Sequence, residues 1–285
     1  DKNDEVLFIN QIIDSKFQYD FKNLKNIFVS KNKIFNLPYK LKIKNDKLNQ
    51  IIDTEIICNK LRLKLENQID YKNNDKNGIL KVNLKNKNNI LDYKLKKNSL
   101  DYSLKDTNKI FNGLIEFKPF YSILDIKYQS LKFKDLINNP LLNEVIKTNI
   151  IKNDNLNAKI NLIVNKIADF DRFNNFSLKS NIEEGVLSFS GSKVKWKDNL
   201  NLFLEEGFID HDDNSIIFNG RMEIDIKDEN DFFRFFQISK NLRKKFKKVN
   251  FDFNFDIVEK KVTFDNFKID EQSNLKLEKF ISNFN

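Results

Sequence analysis

Apolar and polar side chains alternate along most of this chain of 285 residues. Tyr39, Leu41 and Ile43, for example, alternate with lysines. Successive side chains of a β-strand point to opposite faces, so such a run places its apolar side chains on one face. Further runs carry the apolar residues Leu61, Leu63 and Leu65; Leu80, Val82 and Leu84; Leu100, Tyr102 and Leu104; Leu156, Ala158, Ile160, Leu162 and Val164; Leu200, Leu202 and Leu204; Met222, Ile224 and Ile226; and Val249, Phe251, Phe253, Phe255 and Ile257. Turn-forming segments such as 73–78 and 85–89 separate the runs, and the sequence therefore predicts a mainly β fold of serial antiparallel hairpins.

Helical periodicity is confined to two segments, 134–147 and 228–248. The second begins with acidic residues and ends with basic ones, an order that suits the helix dipole. We therefore expect an N-terminal β-repeat segment over 1–130, a short helical connector over 131–155, and a C-terminal β-repeat segment over 156–285 that includes the helix 228–248. The chain begins at Asp1 rather than at methionine, and we expect it to be part of a longer protein whose strands form one continuous sheet.

One short motif occurs twice, as IEEGVL at 182–187 and as LEEGFI at 204–209. The distance between the copies corresponds to two strands and their turns, which is typical of a repeating sheet. The paired glutamates also invite comparison with the acid and base of a glycoside hydrolase. Adjacent strand residues point to opposite faces, however, so a turn or a β-bulge is the favoured interpretation of each pair.

Few residues offer catalytic or metal-binding chemistry. His211 is the only histidine, and its surroundings, 210–214, have cation ligands but neither the spacing nor the glycine of a calcium loop, which favours a hairpin turn. Cys58 is the only cysteine, so a disulfide framework is excluded, and it is predicted to be a buried or half-buried strand thiol. Glycine-rich phosphate or dinucleotide loops are missing from the sequence. We therefore expect no cofactor, no metal site and no enzymatic activity.

The net charge of +9 indicates little about the binding partners of the protein. Lysine, asparagine and isoleucine are abundant, as a coding sequence rich in A and T produces, so the lysines favour no particular partner. A basic cluster near the end of the second helical segment is a candidate for lipid headgroup contact: Arg243, Lys244, Lys245 and Lys247. The phenylalanines that follow it belong to a continuing apolar face rather than to a base-stacking platform, and we expect no nucleic acid partner.

The apolar face of the predicted sheet needs a partner, because two short helical segments cannot cover so many strands. It either packs against another sheet, in a closed β-sandwich, or lines an apolar groove in an elongated, curled antiparallel sheet. Strands of about eight residues span roughly 26 Å, which is wide enough to curl around acyl chains, and each buried methylene gains about 0.8 kcal/mol. The candidate lining residues are Leu41, Ile43, Leu61, Leu63, Leu80, Val82, Ile160, Leu162, Val194, Trp196, Leu200, Leu202, Met222, Ile224, Phe251, Phe253 and Phe255.

Residues 176–270 carry several sequence features in an order that is found in a known protein family. They are Glu184-Gly185 before a strand, Trp196 within 192–198, Gly207 and Gly220 at predicted strand starts, the Phe-rich helical segment after Asp228, and the closing pattern of Phe264, Phe267 and Ile269. This stretch resembles the C-terminal region of AsmA-like proteins of Gram-negative bacteria. The entry Phe35-Asn36-Leu37-Pro38-Tyr39 into hairpins is similar to the β-repeats that precede that region, so the resemblance covers most of the chain. The composition also resembles that of small-genome marine alphaproteobacteria.

The resemblance implies a periplasmic β-groove, anchored to the inner membrane, that transports phospholipid toward the outer membrane and supports outer-membrane biogenesis. Phospholipid and outer-membrane assembly proteins are the partners it implies, with attachment to the inner membrane through an N-terminal anchor that we expect upstream of Asp1 in the full-length protein. The family brings no catalytic residues. A structural or surface β-repeat, such as an adhesin stalk, remains the alternative, with its apolar face wholly sandwiched and no lipid ligand.

Overall fold

The computed structural model describes residues 9–84, 87–106, 108–134, 153–197, 199–211, 215–235, 237–243 and 245–273. In this part of the chain, 19 β-strands form one antiparallel sheet. One α-helix and one short 3-10 helix accompany them. The predicted mainly β fold of serial antiparallel strands is confirmed.

The strands alternate with short turns along the chain. The first ten are β1 Asn10–Asp20, β2 Lys25–Ile34, β3 Leu37–Asp46, β4 Ile51–Cys58, β5 Leu63–Asp70, β6 Lys76–Leu84, β7 Lys87–Leu95, β8 Ser99–Lys105, β9 Lys109–Phe117 and β10 Phe120–Leu131. The others are β11 Asn157–Ile167, β12 Phe173–Glu183, β13 Val186–Ser188, β14 Ser192–Trp196, β15 Leu200–His211, β16 Ile216–Ile226, β17 Lys248–Asp256, β18 Lys261–Ile269 and β19 Gln272–Ser273. The helix α1 spans Glu229–Phe235, and the 3-10 helix spans Lys240–Leu242.

The chain divides into two compact units. The first unit holds residues 1–125, 140–158 and 183–185, and the second holds 126–139, 159–182 and 186–285. In the first unit, each strand from β1 to β9 pairs antiparallel with the next one along the chain. In the second, β14 to β19 pair in the same serial way.

Aspartates close the tight turns at one end of the first strands. Asp46 Oδ1 accepts a hydrogen bond from the Asn49 backbone N–H at 3.0 Å, and Asp46 Oδ2 forms an ion pair of 2.9 Å with Lys25 Nζ. The Asn49 N–H, Lys25 and the Asn49 side chain together lower the pKa of Asp46 from 3.8 to about 2. Because these donors favour the carboxylate, the turn between β3 and β4 is stabilised by an ionised Asp46.

We expect the stability of the first unit to depend on the ionisation of Asp46. Its pKa is lower in the folded chain than the ordinary 3.8, so the stabilisation is present above that value and is lost as the pH falls toward about 2. An Asp46→Asn variant should therefore unfold at a lower urea concentration than the wild type at pH 6, and the two midpoints should converge as the pH approaches 2. A midpoint difference that is the same at every pH would contradict this assignment.

The helical segment predicted over 228–248 is shorter in the structure. Gln237 has a left-handed φ of 54°. Its N–H donates to Arg234 O at 3.2 Å, while the N–H of Ile238 donates to Phe233 O at 2.9 Å. These two bonds form a Schellman motif, which ends a helix. Strand β17 begins at Lys248, so much of the predicted helix is turn and 3-10 helix. Residues 135–152, which contain nearly all of the other predicted helical segment, lie outside the described residues.

The two copies of the repeated motif have different backbone structures. In the first copy, Glu184 and Gly185 have φ of 50° and 76° and form the turn between β12 and β13. In the second copy, β15 continues without a turn, and its register with β16 shifts between Leu204 and Glu206. The expectation of a turn or a bulge at each glutamate pair is confirmed. The repeated sequence, however, does not mark two copies of one structural unit.

Candidate functional site

Strands β2 to β9 of the first unit share one apolar face. Cross-strand pairing places Leu41 beside Ile56, Ile56 beside Leu65, and Leu65 beside Val82. The neighbouring row runs from Ile43 through the polar residues Thr54 and Asn67 to Leu80 and Leu91. We call the apolar members of these two rows the apolar strip: Leu41, Ile43, Ile56, Leu65, Leu80, Val82 and Leu91. All seven residues of the strip are half-buried, so each keeps part of its apolar surface accessible.

Two tyrosines lie flat over glycines along one margin of the apolar strip. Tyr93 pairs with Gly78 on β6 and Tyr102 with Gly113 on β9, and a Cβ atom at either glycine would overlap the tyrosine ring. The Tyr93 hydroxyl crosses β6 and donates to Asn67 Oδ1 at 2.5 Å. Because no side chain rises from the glycines, each ring covers the backbone of the neighbouring strand and presents an apolar surface.

Tyr93 and Tyr102 are cross-strand partners whose rings extend in opposite directions. Burial raises the pKa of the Tyr93 hydroxyl, while its hydrogen bond to Asn67 acts the other way. Burial likewise raises the pKa of Tyr102, whose hydroxyl is hydrogen-bonded to Ser122. Both hydroxyls are therefore neutral at physiological pH and already have protein partners. The two hydroxyls are therefore the polar groups of this margin, and neither of them titrates near physiological pH.

A buried polar network lies beyond the other end of the apolar strip, on β1 to β3. Ser30 and Asn32 are only 2% and 1% exposed, and Asn32 Nδ2 donates to Ser30 Oγ at 2.8 Å. The Tyr39 hydroxyl donates to Asn10 Oδ1 at 3.1 Å, and Asn10 Nδ2 contacts Asn32 Oδ1 at 3.5 Å. Ser30 is the cross-strand neighbour of Leu41. The row through Leu41 therefore becomes polar on β2, whereas the row through Ile43 continues to Phe28 on that strand, a difference that the alternation alone did not reveal.

The structure brings most of the predicted lining residues of the first unit onto this face. Leu41, Ile43, Leu80 and Val82 belong to the apolar strip, and Leu63 pairs with Cys58 next to it. Leu61 lies instead in the turn between β4 and β5, because β5 begins at Leu63. Cys58 is 5% exposed, which confirms the expectation of a buried strand thiol.

The predicted lining residues on β14 to β17 of the second unit also share a face, and several predicted lining residues of this unit are fully buried. Val194, Leu202 and Ile224 form one cross-strand row, and Met222 pairs with Phe251. Leu162, Leu200 and Phe253 are 5%, 3% and 9% exposed. The half-buried predicted lining residues of this unit are Ile160 on β11 and, on the shared face, Val194, Trp196, Leu202, Met222, Ile224, Phe251 and Phe255.

Aromatic side chains fill much of the apolar face of the second unit. Trp196 packs between Phe173 and Phe235, with ring centroids 5.2 and 4.6 Å away. Phe218 contacts Phe253 edge to face at 5.3 Å. Helix α1 thus supplies a ring that covers Trp196, and aromatic contacts within the second unit cover part of its apolar face.

The basic cluster near α1 is divided among different roles. Arg243 Nε donates to Ile238 O at 2.9 Å, and its guanidinium lies 5.8 Å from the Phe233 ring centroid, so it packs against the end of the helix. Lys245 and Lys247 are exposed, and the Lys247 backbone N–H donates to Asp270 Oδ1. Lys244 lies outside the described residues.

The described ranges contain no group of three or more histidine, cysteine or acidic side chains placed to hold a metal ion. His211 is the last residue of β15, and 212–214 lie outside the described residues. Among the helices that the structure describes, none has the length and apolar character needed to cross a membrane. No protein-family model, no curated protein and no solved structure matches the chain.

Proposed function

We propose that the chain is a lipid-binding segment whose apolar strip holds an acyl chain of a phospholipid. The observation that carries the proposal is the strip: seven apolar side chains in two cross-strand rows, all half-buried. Apolar surface of this kind gains free energy when a ligand removes it from water. The resemblance of its sequence to AsmA-like proteins supports the same ligand class. On that resemblance we also propose that the segment belongs to a periplasmic protein, anchored to the inner membrane, that moves phospholipid toward the outer membrane.

The dimensions of the apolar strip suit an acyl chain. Its rows cross from β3 to β7, and neighbouring strands lie about 4.8 Å apart, so the strip is about 19 Å long. An extended acyl chain of a common membrane phospholipid has a similar length. About ten buried methylenes would contribute about 8 kcal/mol before the cost of association is subtracted. The tyrosine margin provides a flat apolar surface beside such a chain.

The face opposite the apolar strip provides a matched comparison on the same strand. Val82 belongs to the strip, whereas Ile79 lies on the other face of β6 and is 44% exposed. We expect Val82→Lys to weaken uptake of a fluorescent acyl probe at least tenfold, because a charge on the strip opposes apolar burial. Ile79→Lys should leave uptake within about twofold of the wild type. Far-UV circular dichroism of both variants controls for loss of fold.

Mass spectrometry of lipids extracted from the purified chain tests the proposal directly. Recovery of phospholipid with the wild type, and less with Val82→Lys than with Ile79→Lys, is the expected result. Recovery of no phospholipid, together with no uptake of the acyl probe, would refute the proposal. Equal losses with both variants would show that the strip is not the binding surface.

The second unit supports a structural role for its own strands. Part of its face is covered by aromatic contacts, including the edge-to-face pair Trp196 and Phe235. This favours the second candidate function, a structural β-repeat, for that unit. Lipid recovered equally well after substitutions throughout the apolar strip would extend this alternative to the whole chain.

A further inference from the structure

Acidic and basic side chains are distributed unequally between the two faces of β1 to β9. The acidic residues of these strands all lie on the face opposite the apolar strip, where several of them pair across strands with lysines: Asp14, Asp20, Asp46, Asp53, Glu55, Glu66, Asp70, Asp92, Asp101 and Glu116. There they form ion pairs such as Lys64 with Glu66 at 2.6 Å and Lys25 with Asp46 at 2.9 Å. The apolar face therefore carries no strand carboxylate in the described part of these nine strands.

Lys109 is a cation on the apolar face. It is the first residue of β9, on the same side of the strand as Phe111 and Gly113, and it is half-buried. Its ammonium donates to Asn89 Oδ1 and lies 5.9 Å from the Phe111 ring centroid. The N–H of Asp106 donates to the Lys109 carbonyl at 2.9 Å, which holds the start of β9 in place.

The position of Lys109 relates directly to the apolar strip. Asn89, its hydrogen-bond acceptor, is the cross-strand neighbour of Val82. The row that begins at Leu41 and passes through Val82 therefore ends at an amide and an ammonium. Within the described residues this ammonium forms no ion pair with a carboxylate, in contrast to Lys25 and Lys64 on the other face.

We infer that Lys109, oriented by Asn89, binds the acidic headgroup of a lipid whose acyl chain occupies the apolar strip. The inference rests on the proposed function and narrows the ligand to an anionic phospholipid. A lysine ammonium has three donors, of which Asn89 accepts one, and the other two suit the oxygens of a phosphodiester. A half-buried charge beside apolar side chains gains most from an anionic partner that shares its environment. The apolar row sets where the acyl chain lies, and Lys109 sets which end carries the headgroup.

Lipid-binding measurements on Lys109→Gln test this assignment. The ligands are phosphatidylglycerol and phosphatidylcholine with the same fluorescent acyl chain, and the control is Lys81→Gln, which removes one charge from the opposite face of β6. We expect Lys109→Gln to weaken phosphatidylglycerol binding about tenfold, which corresponds to about 1.4 kcal/mol, and to leave phosphatidylcholine binding within twofold. Lys81→Gln should change neither, and Lys109→Arg should retain most of the preference. Added salt should weaken phosphatidylglycerol binding more in the wild type than in Lys109→Gln.

The outcomes separate this inference from the proposed function. If both lipids bind and Lys109→Gln affects them equally or not at all, the headgroup assignment is wrong while lipid binding stands. If neither lipid binds the wild type, the proposed function fails and the inference fails with it. If inorganic phosphate alone competes fully with phosphatidylglycerol, and with the same dependence on Lys109, the site is one for free phosphate and the lipid assignment is overturned.

Discussion

Phe253→Ala should lower the free energy of unfolding of the second unit by about 3–5 kcal/mol, the range for removing a buried aromatic side chain. The Phe253 ring is 9% exposed, lies over Gly220 on β16 and contacts Phe218 at a centroid distance of 5.3 Å. A Cβ at Gly220 would come within 2.6 Å of the ring, which shows how closely the backbone of β16 approaches it. Since Gly220 has no side chain to move into the space, the substitution leaves a cavity that its neighbours fill poorly.

Urea denaturation followed by tryptophan fluorescence measures this effect, because the only tryptophan, Trp196, lies in the second unit. Asn254→Ala is the matched control, since Asn254 is the next residue of β17, lies on the opposite face and is exposed. Its effect should stay within about 0.5 kcal/mol. A loss below about 1 kcal/mol for Phe253→Ala would show that the aromatic layer is not the core of this unit.

Gly78→Val should destabilise the first unit by about 2–4 kcal/mol, through overpacking and the loss of one hydrogen bond. The new side chain would occupy the space that the Tyr93 ring fills, so the ring must leave the backbone of β6. Its hydroxyl would then lose Asn67 as acceptor, and Asn67 would remain on the apolar face without that partner. We also expect weaker uptake of the acyl probe, because the displaced ring would disturb the margin of the apolar strip.

A double-mutant cycle identifies the cause of this loss. In a Tyr93→Ser background the space over Gly78 is empty, so the further change Gly78→Val should cost much less than it does in the wild type. Thermal and urea unfolding of the four proteins give the coupling energy. Additive effects of the two substitutions would mean that Gly78 is required for another reason, such as the backbone conformation of β6.

The candidate site could be located from the chain only in part. Alternation identified Leu41, Ile43, Leu80 and Val82 as neighbours on one face, because the strand period of two is a local property. Turn composition, by contrast, led to a prediction that differs from the structure. The segment 73–78 has the composition of a turn, yet Gly78 lies inside β6, where its role depends on a tyrosine of the next strand. No local pattern carries that information.

The helical segment after β16 shows the same limit. Its Phe-rich start and basic end predict a helix over 228–248, whereas α1 ends at Phe235 and a left-handed Gln237 follows. Glutamine is not a residue that marks such an end, since glycine and asparagine are preferred there. Phe235, the last residue of α1, packs on Trp196, and this tertiary contact is not specified by a local pattern.

The amino-acid sequence alone specifies a serial antiparallel sheet with one apolar face, because alternation and turn composition are local properties of a few neighbouring residues. Only the tertiary structure decided which part of that face is buried and which is half-buried, since burial depends on strands far apart in sequence. The aromatic layer around Phe253 and the half-buried strip around Val82 arise from equally apolar runs. The placement of Lys109 at the end of the strip likewise depends on the register of β7, β8 and β9, which cross-strand pairing sets.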